Sequence, residues 1–201
     1  MKDFSRFVKE VFPDPSSEEA LQALCASAIF PSIESRRAIY LYGDGPTGKS
    51  VFRAAIEQIV PSIPVLIHEL ATTKLLRVQV FATPLVFVID EDSVLSKRKR
   101  RLACQNILNI LTQSTIRGVY AKFYNPVRFR PSCRLLFISN AAPTWPEGFE
   151  EFHEWTLPVE MPRRFGPREA DPDLKGFYRK SRLGTFDWIC AIARKRMGTE
   201  G

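Results

Sequence analysis

The sequence predicts an α/β fold, with a doubly wound, mainly parallel sheet preceded by a small helical N-terminal cap. Three observations carry that prediction. The stretch Gly43-Asp44-Gly45-Pro46-Thr47-Gly48-Lys49-Ser50 matches the pattern G-x-x-x-x-G-K-[ST] without a mismatch. It stands between an apolar run, Ala38 to Tyr42, and a segment whose apolar residues Phe52, Ala55, Ile56 and Ile59 recur with helical period. Two further apolar runs end in polar residues: Pro84 to Ile89 leads into Asp90, Glu91 and Asp92, and Arg134 to Ile138 leads into Ser139 and Asn140. Strands apolar on both faces belong in a parallel sheet covered by helices. The carboxyl ends of such strands are where open α/β sheets bind ligands.

The chemistry of the first stretch explains its layout. Glycines let the loop backbone turn and aim its N–H groups at phosphate oxygens, and the positive end of the following helix adds its field. The expected nucleotide site is therefore Gly43, Asp44, Gly45, Pro46, Thr47, Gly48, Lys49 and Ser50, a P-loop. Lys49 would reach the β- and γ-phosphates and the Ser50 hydroxyl would sit on Mg²⁺. The acidic strand end is read as Walker B. Asp90 would hold Mg²⁺ through its water shell and Glu91 would activate the attacking water, with Asp92 able to exchange roles with Glu91. Asn140, at the end of another buried strand, would hydrogen-bond the γ-phosphate or that water. The implied cofactors are ATP and Mg²⁺, and the implied activity is ATP hydrolysis.

Composition narrows the class. The 201 residues suit one domain with short extensions: a helical N-terminal cap or oligomerisation segment over 1–36, a P-loop ATPase domain over 37–165, and a basic C-terminal extension over 166–201 that ends in a helix. No run of eighteen apolar residues and no leader-like N-terminus occurs, so a soluble protein inside the cell is expected and a membrane is not. Four cysteines far apart and two histidines exclude the common zinc patterns and fit reduced thiols. A net charge of +7 favours an acidic partner, of which nucleic acid is the commonest.

In chain order, residues 1–12 place Phe4, Phe7, Val8, Val11 and Phe12 on one helical face. The opposite face mixes acids with bases, which favours packing on the domain or a neighbouring subunit over a membrane surface. Pro13-Asp14-Pro15 ends that segment, and Ser16-Ser17-Glu18-Glu19 reads as a capping box opening a second helix. Pro64 to His68 reads as a core strand and Ala71 to Val80 as a helix. Lys97 to Arg101 is an unbroken basic run opening a helix. It reads as a solvated face, a nucleic-acid contact or a nuclear-localisation patch. Val119 to Tyr124, a turn at Asn125-Pro126, and Val127 to Arg130 predict a β-hairpin in which basic and aromatic residues alternate. Lys122, Phe123 and Arg128 are its candidate contacts to a single strand, a lysine for phosphate and a ring for a base. Trp145 to Glu160 reads as loop plus a short strand. Arg163 or Arg164 could be a surface ion-pair residue or an arginine finger placed at a neighbour's nucleotide. A last helix is expected from Phe186 to Met197, capped by Thr185.

Together these motifs resemble the superfamily 3 helicases of small viruses, a branch of the AAA+ ATPases. The run Ser139-Asn140, Pro143, Trp145 and Arg163-Arg164-Phe165 looks most like the helicase half of replication-initiator (Rep) proteins of small circular single-stranded DNA viruses. The resemblance covers roughly residues 37–165. It implies an AAA+ type P-loop NTPase in a hexameric ring, with ATP sites between subunits and pore hairpins drawing one strand through, DNA ahead of RNA. Lys49 and Ser50 would bind nucleotide and metal, Asp90 and Glu91 do the hydrolysis, Asn140 sense the phosphate, and Lys122 with Phe123 touch the strand. The paired histidines of the family's nicking domain are absent, which implies a motor served by a separate nicking endonuclease. The motor of picorna-like RNA virus helicases is an alternative relative, and an AAA+ ATPase that remodels or loads a protein partner is an alternative activity.

Overall fold

Five strands, β1 (Ala38–Tyr42), β2 (Ser62–Leu66), β3 (Leu85–Asp90), β6 (Arg134–Ser139) and β7 (Thr156–Glu160), form one all-parallel sheet in the order β2-β3-β6-β1-β7. The structure is a computed structural model and describes residues 3–35, 37–71, 82–90, 96–112, 116–117, 128–129, 131–167, 169, 171, 173–180 and 182–198. Its helices are α1 (Phe4–Val11), α2 (Pro15–Ile29), α3 (Lys49–Ile56), α4 (Lys97–Leu111), α5 (Phe152–Trp155), α6 (Leu174–Lys180) and α7 (Arg182–Met197), with a 3₁₀ turn at Ile67–Ala71.

Alternate strand residues feed two cores, one on each face of the sheet. Ile39, Leu41, Leu85, Phe87 and Leu136 join α1, α2, α3 and α7 on one side. Tyr40, Val86, Val88, Leu135 and Phe137 join α4, the 3₁₀ turn and Phe152 on the other. This is the doubly wound arrangement expected from strands apolar on both faces. Leu85 to Val88 are completely buried, as the inner position of β3 requires.

Local chemistry departs from expectation at several points. The second helix is capped by Asp14, whose carboxylate accepts from the Ser16 and Ser17 amides, with Pro15 at the first helical position. Proline's fixed φ and missing N–H suit that position, so the helix begins before the expected Ser16–Glu19 box. The Ser16 and Ser17 hydroxyls also donate to this carboxylate, and these bonds, the Ser16 hydroxyl first, together with the amide bonds, pull the Asp14 carboxyl down to about 2. β2 ends at Leu66 and lies at the sheet edge, so Pro64–His68 is no core strand; an edge tolerates Pro64, which has no amide to donate. The last helix opens at Arg182, placing Thr185 inside it and fully buried instead of at its cap. The short α5 adds helix where loop was expected, and α6 adds a helix within the basic C-terminal extension. The expected helix over 71–80 lies, beyond Ala71, outside the described residues.

Residues 1–12 pack as expected on the domain. Asp3 caps α1 by accepting from the Ser5 amide at 3.0 Å, and Phe4, Phe7, Val8, Val11 and Phe12 are buried. Phe4 packs edge-on to Tyr178 at 5.3 Å and to Trp188 at 5.5 Å, while Phe12 and Trp188 both meet Phe52 of α3. The N-terminal and C-terminal segments thus share one core with the helix that follows the P-loop. Among the described residues no helix is long and apolar enough to cross a membrane. Cys25, Cys104 and Cys133 are buried free thiols, and burial pushes each up to about 11 or 12.

Candidate nucleotide site

The loop from Gly43 to Gly48 joins the C-terminal end of β1 to the first turn of α3. Two glycines are required by backbone geometry. Gly48, at the cap of α3, has φ 96° and Gly45 has φ 79°, both left-handed. Gly43 is required by a close approach, since an added Cβ would lie 2.7 Å from the Met161 carbonyl oxygen. That approach belongs to a backbone clamp: the Met161 amide donates to the Tyr42 carbonyl at 2.8 Å and the Phe165 amide to the Pro46 carbonyl at 2.9 Å. Gly43→Ala is therefore expected to cost about 1–3 kcal/mol of stability by overpacking. Denaturant unfolding would check this beside Gly176→Ala, where nothing lies within 4 Å of an added Cβ.

Lys49 is buried, and its ammonium donates to the carbonyls of Gly43 and Gly45 and to the Thr47 hydroxyl, the last two at 3.2 and 3.1 Å. Burial lowers its pKa, with the charge of Asp44 opposing. A buried cation whose hydrogen bonds, among the described residues, all go to neutral oxygens, at a helix N-terminus with left-handed glycines, fits a phosphate chain.

Two cavities flank the loop and share Pro46, Gly48 and Ser50. One, of about 300 Å³, includes Lys49, Thr47, Ile89 and Ile138 in its wall. The other, of about 450 Å³, is lined by Phe7 of α1, Val51, Phe165, and Leu174 and Tyr178 of α6. Ser50 thus faces the space on both sides of the loop, where an ion beside the phosphates would lie. Among the described residues no group of three His, Cys, Asp or Glu side chains could cage a metal.

The strand order brings the expected strand-end residues together. β6 lies between β1 and β3, and its Ser139 is in register with Tyr42 on one side and Asp90 on the other. Asn140 follows, exposed, between the P-loop strand and the acidic strand. Asp90 is 8% exposed and accepts the Tyr40 hydroxyl at 2.6 Å. It points to the α4 face of the sheet, whereas its neighbour Ile89 lines the smaller cavity. Contact of Asp90 with an ion beside Ser50 would accordingly run through water.

The two arginines have partners within the chain. Arg163 meets Glu10 and, at 3.5 Å, Glu169, and its guanidinium lies 4.9 Å from the Phe165 ring centre. Arg164 pairs with Asp44 of the P-loop, both largely exposed. Arg163 therefore stands at the wall of the larger cavity and Arg164 on the outer edge of the loop. Glu91, Lys122 and Phe123 lie outside the described residues, as does the Asn125-Pro126 turn. An antiparallel pair is present in this stretch, but not in the expected register: β4 (Ile116–Arg117) pairs with β5 (Arg128–Phe129), so Arg128 lies opposite Arg117, where a two-residue turn at Asn125-Pro126 required Phe123 as its partner. Sequence reasoning missed Phe7, Tyr178 and Tyr40. A tyrosine inside an otherwise apolar buried strand was the available signal for Tyr40, because a buried phenol needs a hydrogen-bond partner.

Residues 41–154 match a family described only as a family of unknown function, DUF5906, and the chain belongs to it. No curated protein matches. The fold is similar to the apo structure of the NrS-1 C-terminal region, with a TM-score of 0.71 at 16% identity, covering 92% of this chain and 44% of that one. A second, A-form apo structure of the same region gives 0.68 at 14% identity with the same coverage. At these identities the likeness is one of fold, and the chain spans less than half the length of those structures.

Proposed function

We propose that this chain is the ATPase motor of a nucleic-acid translocase or helicase that acts on single strands during viral genome replication. The observation that carries the proposal is the buried Lys49 ammonium, at a glycine-shaped helix N-terminus between two cavities. The larger cavity takes the nucleoside against Phe7, Phe165 and Tyr178, and the smaller takes the terminal phosphate side. Bound Mg²⁺ supplies charge neutralisation at the phosphates, held by Ser50 and, through water, by Asp90. Lys49 stabilises charge on the β- and γ-phosphates, Glu91 accepts a proton from the attacking water, and Asn140 orients that water or the γ-phosphate. Lys122, Phe123 and Arg128 contact the strand from the hairpin whose base is β4 and β5. Arg164 is the better candidate for an arginine finger in a ring, because it is the more exposed of the two and is held by one carboxylate, Asp44, where Arg163 is held by two. The hexamer, the DNA preference and the separate nicking partner belong to this proposal and rest on the motif resemblance.

Steady-state ATPase with and without single-stranded DNA or RNA tests it. Turnover is expected to rise with one nucleic acid. Lys122→Ala should lose that stimulation and reduce the salt dependence of binding by about one phosphate contact. Turnover indifferent to both nucleic acids would overturn the translocase and favour the second reading, a motor that remodels a protein partner.

A further inference from the structure

The basic run at the start of α4 is not uniform. Lys97, Arg98 and Lys99 are exposed, but Arg100 turns inward. Its guanidinium lies 3.8 Å from Asp90 Oδ2 and donates to the Thr144 carbonyl at 3.3 Å. The Tyr40 hydroxyl reaches the same Oδ2 from β1, across β6. Tyr40 is itself fixed, stacked on Phe137 at 5.3 Å and edge-on to Trp145 at 5.6 Å. Both contacts to Asp90 among the described residues thus fall on one oxygen.

We propose that Tyr40 and Arg100 are positioning residues for Asp90: they pin Oδ2 and turn Oδ1 toward the water shell of the metal. The proposal rests on the reading of Asp90 as the metal-side carboxylate. Partners of this kind set ligand orientation, and their loss typically costs 10–100-fold in metal affinity or activity. Arg100 acts here as a charge at 3.8 Å and not as a bidentate fork, so a lysine can replace it. The pair also links the P-loop strand and the basic helix to one carboxylate.

The test is Mn²⁺ affinity, read by electron paramagnetic resonance on the full chain with a non-hydrolysable ATP analogue. Asp90→Asn sets the largest loss. Tyr40→Phe is expected to weaken Mn²⁺ binding about 10-fold or more, with metal-free affinity for the analogue changed less than about twofold. Arg100→Gln should weaken it in the same way, and Arg100→Lys should recover most of the loss. Mn²⁺ affinity of Tyr40→Phe within about twofold of wild type would overturn the positioning role. So would a parallel fall in metal-free analogue binding, the mark of a merely structural effect. If Lys49→Met bound the analogue as well as wild type does, the nucleotide reading would fail first and the positioning role with it.

Discussion

Lys49→Met is expected to abolish useful ATP binding while changing the stability of the free protein by no more than about 1 kcal/mol. The loss of binding follows from what the ammonium does at a triphosphate. Removing a desolvated charge-assisted contact costs about 3 kcal/mol, roughly 100-fold in Kd. The small stability change follows from opposed effects. The variant loses hydrogen bonds to the Gly43 and Gly45 carbonyls and to Thr47, but it also removes a buried cation whose pKa is depressed by desolvation. The sign can be read in pH. Because burial holds the folded-state ammonium below its ordinary value of 10.5, the unfolded chain holds more protons than the folded one in the window just below 10.5. Stability therefore rises with pH through that window in wild type, and the variant should lack the rise. Thermal unfolding with ATP and Mg²⁺ checks the binding half. At 100 times Kd the ligand should stabilise wild type by about 2.7 kcal/mol and the variant hardly at all. An equal thermal shift in both would remove the P-loop assignment.

Most of the sheet and half of the site were legible because their signals are local. A glycine-rich loop between an apolar run and a helical period names its own place at a strand end. Runs such as Leu85 to Val88, apolar at every position, can only be inner strands of a helix-covered sheet. Neighbour relations were less legible. That β6 stands between β1 and β3, and that β2 lies at an edge, depends on crossovers that no window of residues encodes, although Pro64 was a clue. Cap positions were misread where two chemistries overlapped: Asp14-Pro15 and the Ser16–Glu19 box both predict a helix start, and proline at the first helical position decided it. The cavity wall formed by Phe7 and Tyr178 was hidden for another reason. Their residues read as an amphipathic cap and a basic tail, and only packing 171 positions apart brings them to the P-loop.

That packing carries the second large effect. Phe52→Ala is expected to destabilise the fold by about 3–5 kcal/mol. For a chain of this size that lowers the unfolding midpoint by about 10 °C. Phe52 is completely buried, and its ring contacts reach three directions: Phe4 at 6.2 Å and Phe12 at 5.4 Å from the N-terminal segment, and Trp188 at 5.9 Å from α7. Truncation leaves a cavity bounded by rigid rings, and rings cannot collapse into it as flexible side chains would, which puts the cost in the upper part of the range for aromatic truncations. Leu183, 78% exposed on the same helix as Trp188, is the control, and Leu183→Ala should stay within about 0.5 kcal/mol of wild type. The two variants also separate motor from scaffold. α1 and α6 wall the larger cavity, and α1 and α7 are anchored on α3 through Phe52. Loosening that anchor should raise the KM for ATP at temperatures well below the unfolding midpoint, with Leu183→Ala unchanged. A Phe52→Ala loss under about 1 kcal/mol would mean that the terminal segments do not pack on α3 in solution, and the larger cavity, proposed to take the nucleoside, would go too.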